Sequence, residues 1–133
     1  MAFQFSTAAR NGMVNAISTA AGTAPTLEIR TGTAPATPAT AATGTILATI
    51  ILPTTWMNTA SGGVATLTGL WQTLLADSAG TAGHFRVVQG STTHIQGSIT
   101  GTGLGGDMTL DNVVIAGGQQ VTVTGFTLTA GGA

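Results

Sequence analysis

The chain has no cysteine, so disulfides and thiolate metal sites are excluded and nothing marks a redox compartment. It has no lysine either. Its basic residues are Arg10, Arg30 and Arg86, and its acidic ones are Glu28, Asp77, Asp107 and Asp111. Charged residues make up 5% of the chain, against about 25% in an ordinary soluble domain. The formal net charge is −1; without clustered Lys and Arg to neutralise phosphates, no nucleic-acid partner is expected. The longest apolar run, Ile46 to Leu52, is interrupted by Thr49. It falls far short of the roughly 20 residues that span a bilayer, so no membrane partner is expected. The opening Met-Ala-Phe-Gln-Phe-Ser has neither the basic region nor the apolar core of a secretory signal. The expectation is a protein made in the cytoplasm.

What the chain does have is glycine, threonine and alanine, together about half of its residues, a composition suited to thin strands and many turns. Its 133 residues suit one domain, able to bury roughly two-thirds of its unfolded surface. The surface must then be coated by hydroxyls, amides and small apolar groups. With so little electrostatic self-repulsion, it suits a protein that lives packed against others, and a homo-oligomer is expected.

The first 22 residues read as an arm carrying Phe3 and Phe5, followed by a short helix. Ser6 or Thr7 can cap it and Gly22 can end it, with Ala9, Met13, Ala16, Ile17 and Ala20 on the apolar face. Arg10, Asn11, Asn15 and Ser18 would form the polar face. Thr26 to Thr31 alternates as a half-buried strand, Leu27 and Ile29 inward, Glu28 and Arg30 outward. From Gly32 to Gly44 a long Pro/Ala/Thr-rich loop follows, in which Pro35 and Pro38 exclude a central strand; it is expected to become ordered on contact. Short strands are expected at Thr45–Leu52, Val64–Thr68, Asp107–Leu110, Val113–Ile115 and Gln120–Thr129. The last changes parity at Gly125, where a β-bulge would keep Val121, Val123, Phe126 and Leu128 inward. Leu70, Trp71, Leu74 and Leu75 fit either a helical turn or a ragged strand. The fold class expected is mainly β, an antiparallel β-sandwich or jelly roll with one short N-terminal helix.

The stretch from Gly80 to Thr100 reads as a hairpin about Gly90-Ser91. A two-residue loop would set Val87 against His94. A three-residue loop, Gly90 to Thr92, sets Val87 against Ile95 and Phe85 against Gly97. It places His84, Arg86, His94, Gln96 and Ser98 on the opposite face. Because a buried face fixes register, the three-residue loop is the expectation.

No catalytic set emerges. Gly101 to Gly106 spells G-x-G-x-x-G, but the helix and distant acid of a dinucleotide site do not follow it. His84, His94 and Asp107 match no zinc spacing. The serines lack a nucleophile-elbow context. An enzyme is not expected, and neither are catalytic residues, a cofactor or a metal. Trp56 and Trp71 could form a sugar platform, as in carbohydrate-binding modules, but two buried core tryptophans are the expected reading.

Five segments in order resemble a family of small virion proteins of tailed bacteriophages. They are Phe5-Ser-Thr-Ala-Ala-Arg-Asn, Leu27-Glu-Ile-Arg-Thr-Gly, Gly44-Thr-Ile-Leu-Ala, Gly80-Thr-Ala-Gly-His-Phe-Arg and Gln120-Val-Thr-Val-Thr-Gly-Phe-Thr-Leu. Within that class the likeness is to jelly-roll capsid cement or decoration proteins. The resemblance implies a structural role in the virion, with the major capsid protein as partner and no active-site residues. A tail or neck component is the alternative within the class, and a carbohydrate-binding or adhesion module the alternative outside it. The residues expected to make contacts are Phe3, Phe5, Pro35, Pro38 and Trp56.

Overall fold

The computed structural model describes residues 3–132; Met1 and Ala2, the start of the expected arm, and Ala133 lie outside the described residues. One helix, α1 (Thr7–Ala21), precedes nine strands: β1 (Thr26–Thr31), β2 (Ile46–Ile51), β3 (Val64–Thr66), β4 (Gln72–Thr73), β5 (Gly80–Gln89), β6 (Thr92–Gly101), β7 (Met108–Leu110), β8 (Val114–Ile115) and β9 (Val121–Thr129). Hydrogen bonding runs β2-β1-β5-β6-β7-β9-β3, with β4 also on β9 and β8 on β5. The protein is mainly β, a curled sheet around one core with a helix at its N-terminal end. The segment from Leu70 to Leu75 settles as a ragged strand, with Trp71 buried and the three leucines exposed.

One strand pair departs from the antiparallel expectation. β6 and β7 run parallel, Ile99 beside Met108 and Gly101 beside Leu110. Parallel neighbours usually need a crossover of a dozen residues or more. Here the overlap is only three residues deep, so the return needs to travel no more than about 10 Å at 3.3 Å per strand residue. The glycine-rich loop makes that return, with Gly103 and Gly105 at φ 82° and 84°. It is closed by Gly106 N–H donating to Thr100 Oγ1 at 2.9 Å and Leu104 N–H to Gly101 O at 3.2 Å. That is the structural use of the G-x-G-x-x-G string.

The β5–β6 hairpin corrects the expected loop. Gln89 pairs with Thr92, so the loop is the two residues Gly90-Ser91, yet Val87 still pairs with Ile95 and Phe85 with Gly97. Gly90 takes the positive φ, 61°, that a tight hairpin loop asks of its first residue. The slack goes into a bulge at His94, between Val88↔Thr93 and Val87↔Ile95. Core pairing and loop chemistry are thus both satisfied, at the cost of one unpaired residue. In β9 the bulge lies at Thr124, beside the expected Gly125, because Thr109 pairs with Gly125 and Leu110 with Val123. Val121, Val123 and Phe126 are buried as a result.

Ser6 caps α1, its hydroxyl accepting from Ala9 N–H at 3.1 Å, and Gly22 ends it at φ 79°. The buried face is not the expected one. Val14 and Ala21 enter the core, while Met13, Ala9, Ala16 and Ala20 face out. The polar side chains turn toward the body instead. Asn15 Oδ1 accepts from Ala60 N–H at 2.9 Å, Asn11 Oδ1 from Gly63 N–H at 2.7 Å, and Arg10 donates to Gly62 O at 3.0 Å. The polar face thus pairs backbone groups at Ala60, Gly62 and Gly63, which outweighs the weak apolar stripe of alanines.

Candidate functional site

The outer face of β1, β5 and β6 carries Glu28, Arg30, His84, Arg86 and Gln96, and the low-complexity loop lies across it. The neck of that loop is closed by Thr31 N–H donating to Thr45 O at 3.1 Å and Thr45 N–H to Thr31 Oγ1 at 2.9 Å. From there the loop is fastened at five carbonyls. Arg86 Nη2 donates to Pro38 O at 2.6 Å and to Thr40 O at 3.0 Å. Gln96 Nε2 donates to Pro35 O at 2.7 Å. Arg30 Nη1 reaches Thr43 O at 3.3 Å and Gly44 O at 3.4 Å. At the neck, His84 Nδ1 lies 2.9 Å from Gly32 O. A segment with almost no side chains to bury is held by its backbone acceptors, which suits its composition. We call it the strap.

The strap rests on the chain's own sheet through Arg86 and Gln96. It also buries β5 on both faces, leaving His84 fully buried and Arg86 3% exposed. Pro35 is half-buried and Pro38 exposed.

The other expected sites separate in space. Trp56 is 2% exposed and Trp71 fully buried. Their rings lie 6.0 Å apart, and the row continues through Phe126, 5.6 Å from Trp71, to Phe85 at 5.5 Å, edge-on. Both indole N–H groups are satisfied internally, Trp56 by Gly22 O at 2.9 Å and Trp71 by Thr68 O at 3.0 Å. Trp56 is therefore corrected from a contact residue to a core residue, and neither ring is available as a sugar platform. His84 is engaged by Gly32, and the bulge at His94 breaks the alternation that would align the two histidines. Asp107 is occupied by β6, its Oδ2 accepting from Ser98 N–H at 2.9 Å and Ser98 Oγ at 3.1 Å. Among the described residues no three His, Asp or Glu side chains form a metal cluster.

Phe3 and Phe5 lie at the surface, 88% and 47% exposed. Phe5 N–H bonds Gly132 O at 2.6 Å, which joins the two ends of the chain. Phe5, Met13, Val14, Ile17 and Ala130 line a depression of about 260 Å³. Sequence reasoning missed Met13 and Ala130 as parts of this surface, since it placed Met13 inward. No helix among the described residues is long and apolar enough to cross a membrane.

Comparison with known proteins finds no matching family model, no matching curated protein and no matching solved structure.

Proposed function

We propose that the chain is a non-enzymatic virion structural protein, a capsid cement or decoration protein that stabilises a phage head shell by binding the major capsid protein. The resemblance of the five ordered segments supplies the class. The observation that carries the reading is the exposed apolar surface at the joined chain ends. Phe5 and Met13 line one depression, and the exposed Phe3 stands two residues before Phe5, on a chain with only seven charged residues in all (three basic plus four acidic). Large apolar side chains gathered at one place on so neutral a surface favour burial against a neighbour. A stable contact needs on the order of 1,000 Å² or more, to which threonine, alanine and glycine surface would add.

The test is made on phage particles from the source strain, purified on a density gradient. The chain is expected in the particle fraction at many copies, with gold-labelled antibody on the heads. Label on tails or necks would move the role there, and absence from particles would reject a virion role.

A further inference from the structure

We propose that the groove between the strap and the sheet is a carboxylate-binding site. The groove, of about 660 Å³, is floored by Glu28, Arg30 and Arg86 and walled by the strap on one side and the hairpin tip on the other. Three of the chain's seven charges meet here. Glu28 is bound to Arg30, Oε1 to Nε at 2.9 Å. Arg86 stands opposite Glu28 in the β1–β5 register, yet makes no ion pair; among the described residues the Glu28–Arg30 contact is the only one. Its protein acceptors are neutral carbonyls, and its buried Nε has no partner.

A guanidinium nearly removed from water is normally matched by an anion, because an unpaired buried charge is costly. The three groups leave a residual charge of +1 on this floor, and the groove opens onto it. A single carboxylate would neutralise that charge by accepting from a donor of Arg86 other than Nη2, both of whose protons go to the strap. A phosphate dianion fits worse, since Glu28 would repel it and no lysine is present to balance it. The alanines of the strap and Val88 offer apolar cover for whatever body carries the carboxylate. That body is either a free chain end or an acidic side chain presented by a partner. The inference stands on the groove alone and does not need the virion role.

The experiment is an NMR titration of the whole chain, following the Arg Nε–H signals and the strap amides. The probes are N-acetylalanine for a chain-end carboxylate, N-acetylaspartate N-methylamide for a side chain, and inorganic phosphate. Saturable shifts of the Arg86 Nε–H and of Thr40 and Ala41 are expected with one or both carboxylates, and the tighter of the two identifies the source. Arg86→Gln should weaken binding about tenfold or more, as expected for loss of a charge-assisted contact. Because that variant also loosens the strap, Glu28→Gln is the second arm. It leaves both strap clamps of Arg86 in place, removes the competing anion, and should tighten carboxylate binding several-fold. No saturable shift, tighter binding of phosphate, or a Glu28→Gln affinity equal to wild type would each overturn the assignment.

Discussion

Arg86 Nη2 lies 2.6 Å from the carbonyl oxygen of Pro38, so a buried cation on the longest hairpin holds the most featureless stretch of the chain. The partnership is one-sided. Pro38 contributes only its backbone oxygen, and its ring stays outside. Replacing Arg86 with Ala should free the strap while leaving the core row of aromatics intact. Hydrogen bonds to a charged group contribute about 1.5–3 kcal/mol each. Two are lost, and removal of a buried charge offsets part of that, so a loss of about 2–4 kcal/mol is expected. Brief digestion with an elastase, which cuts after alanine, should cleave the variant within residues 34–42 and spare the wild type. A strap equally resistant in both would show that Arg86 is not its clamp.

Two glycines should respond to alanine in opposite directions. Gly12 lies inside α1 with open space where a Cβ would go, so Gly12→Ala should stabilise by about 0.5–1 kcal/mol through helix propensity. At Gly97 a Cβ would sit 2.8 Å from Asp107 Oδ2 and 2.9 Å from Phe85 Cε1. Neither neighbour is free to retreat, since the carboxylate is tied to Ser98 and the ring is buried. Gly97→Ala should cost about 1–3 kcal/mol as overpacking. Urea melts of both variants give the signs directly.

Trp71 touches both Trp56 and Phe126, so Trp71→Ala should remove about 3–5 kcal/mol as a large core truncation. Intrinsic fluorescence of the wild type should be blue-shifted and resist iodide quenching. Quenching by micromolar sugars would contradict the buried placement and reopen the adhesion reading.

Deleting residues 1–5 removes Phe3, Phe5 and the single bond to Gly132, none of it in the core. The melting temperature should fall by only a few degrees, since about 1 kcal/mol corresponds to 4 °C or less in a domain of this size. Particle binding, followed by co-sedimentation, should fall sharply. Undiminished binding would remove the chain-end surface from the interface.

Attachment should survive salt. Moving from 0.15 to 1 M NaCl shortens the Debye length from about 8 Å to about 3 Å and suppresses exposed charge pairs. Apolar burial is not weakened by that screening, but urea weakens it. The chain should therefore stay in the particle pellet at 1 M NaCl and leave it in urea. Release by salt alone would assign the contact to charges.

Much of the fold is legible locally. Strand alternation in β1, the Ser6 and Gly22 ends of α1, and the parity change in β9 each depend on neighbours within a few residues, where period and capping chemistry act. The same holds for Val87 opposite Ile95, since a core face tolerates no one-residue slip. The helix face is not legible this way. Alanines contribute little burial, so the choice of face passed to Asn11 and Asn15, whose partners at Gly63 and Ala60 are more than forty residues away in sequence.

The candidate site divides along the same line. Composition alone determined that this protein has few charges and no thiol chemistry. A strand-and-turn pattern determined that it is mainly β. Only the tertiary structure decided that Trp56 belongs to the core and Met13 to the surface, because a large side chain's burial depends on which elements close around it. Only the tertiary structure, too, brought Pro35 and Pro38 over Gln96 and Arg86. The loop's side chains carry no preference for that sheet; its carbonyl oxygens do, and backbone acceptors are the same in every sequence until a fold places donors beneath them.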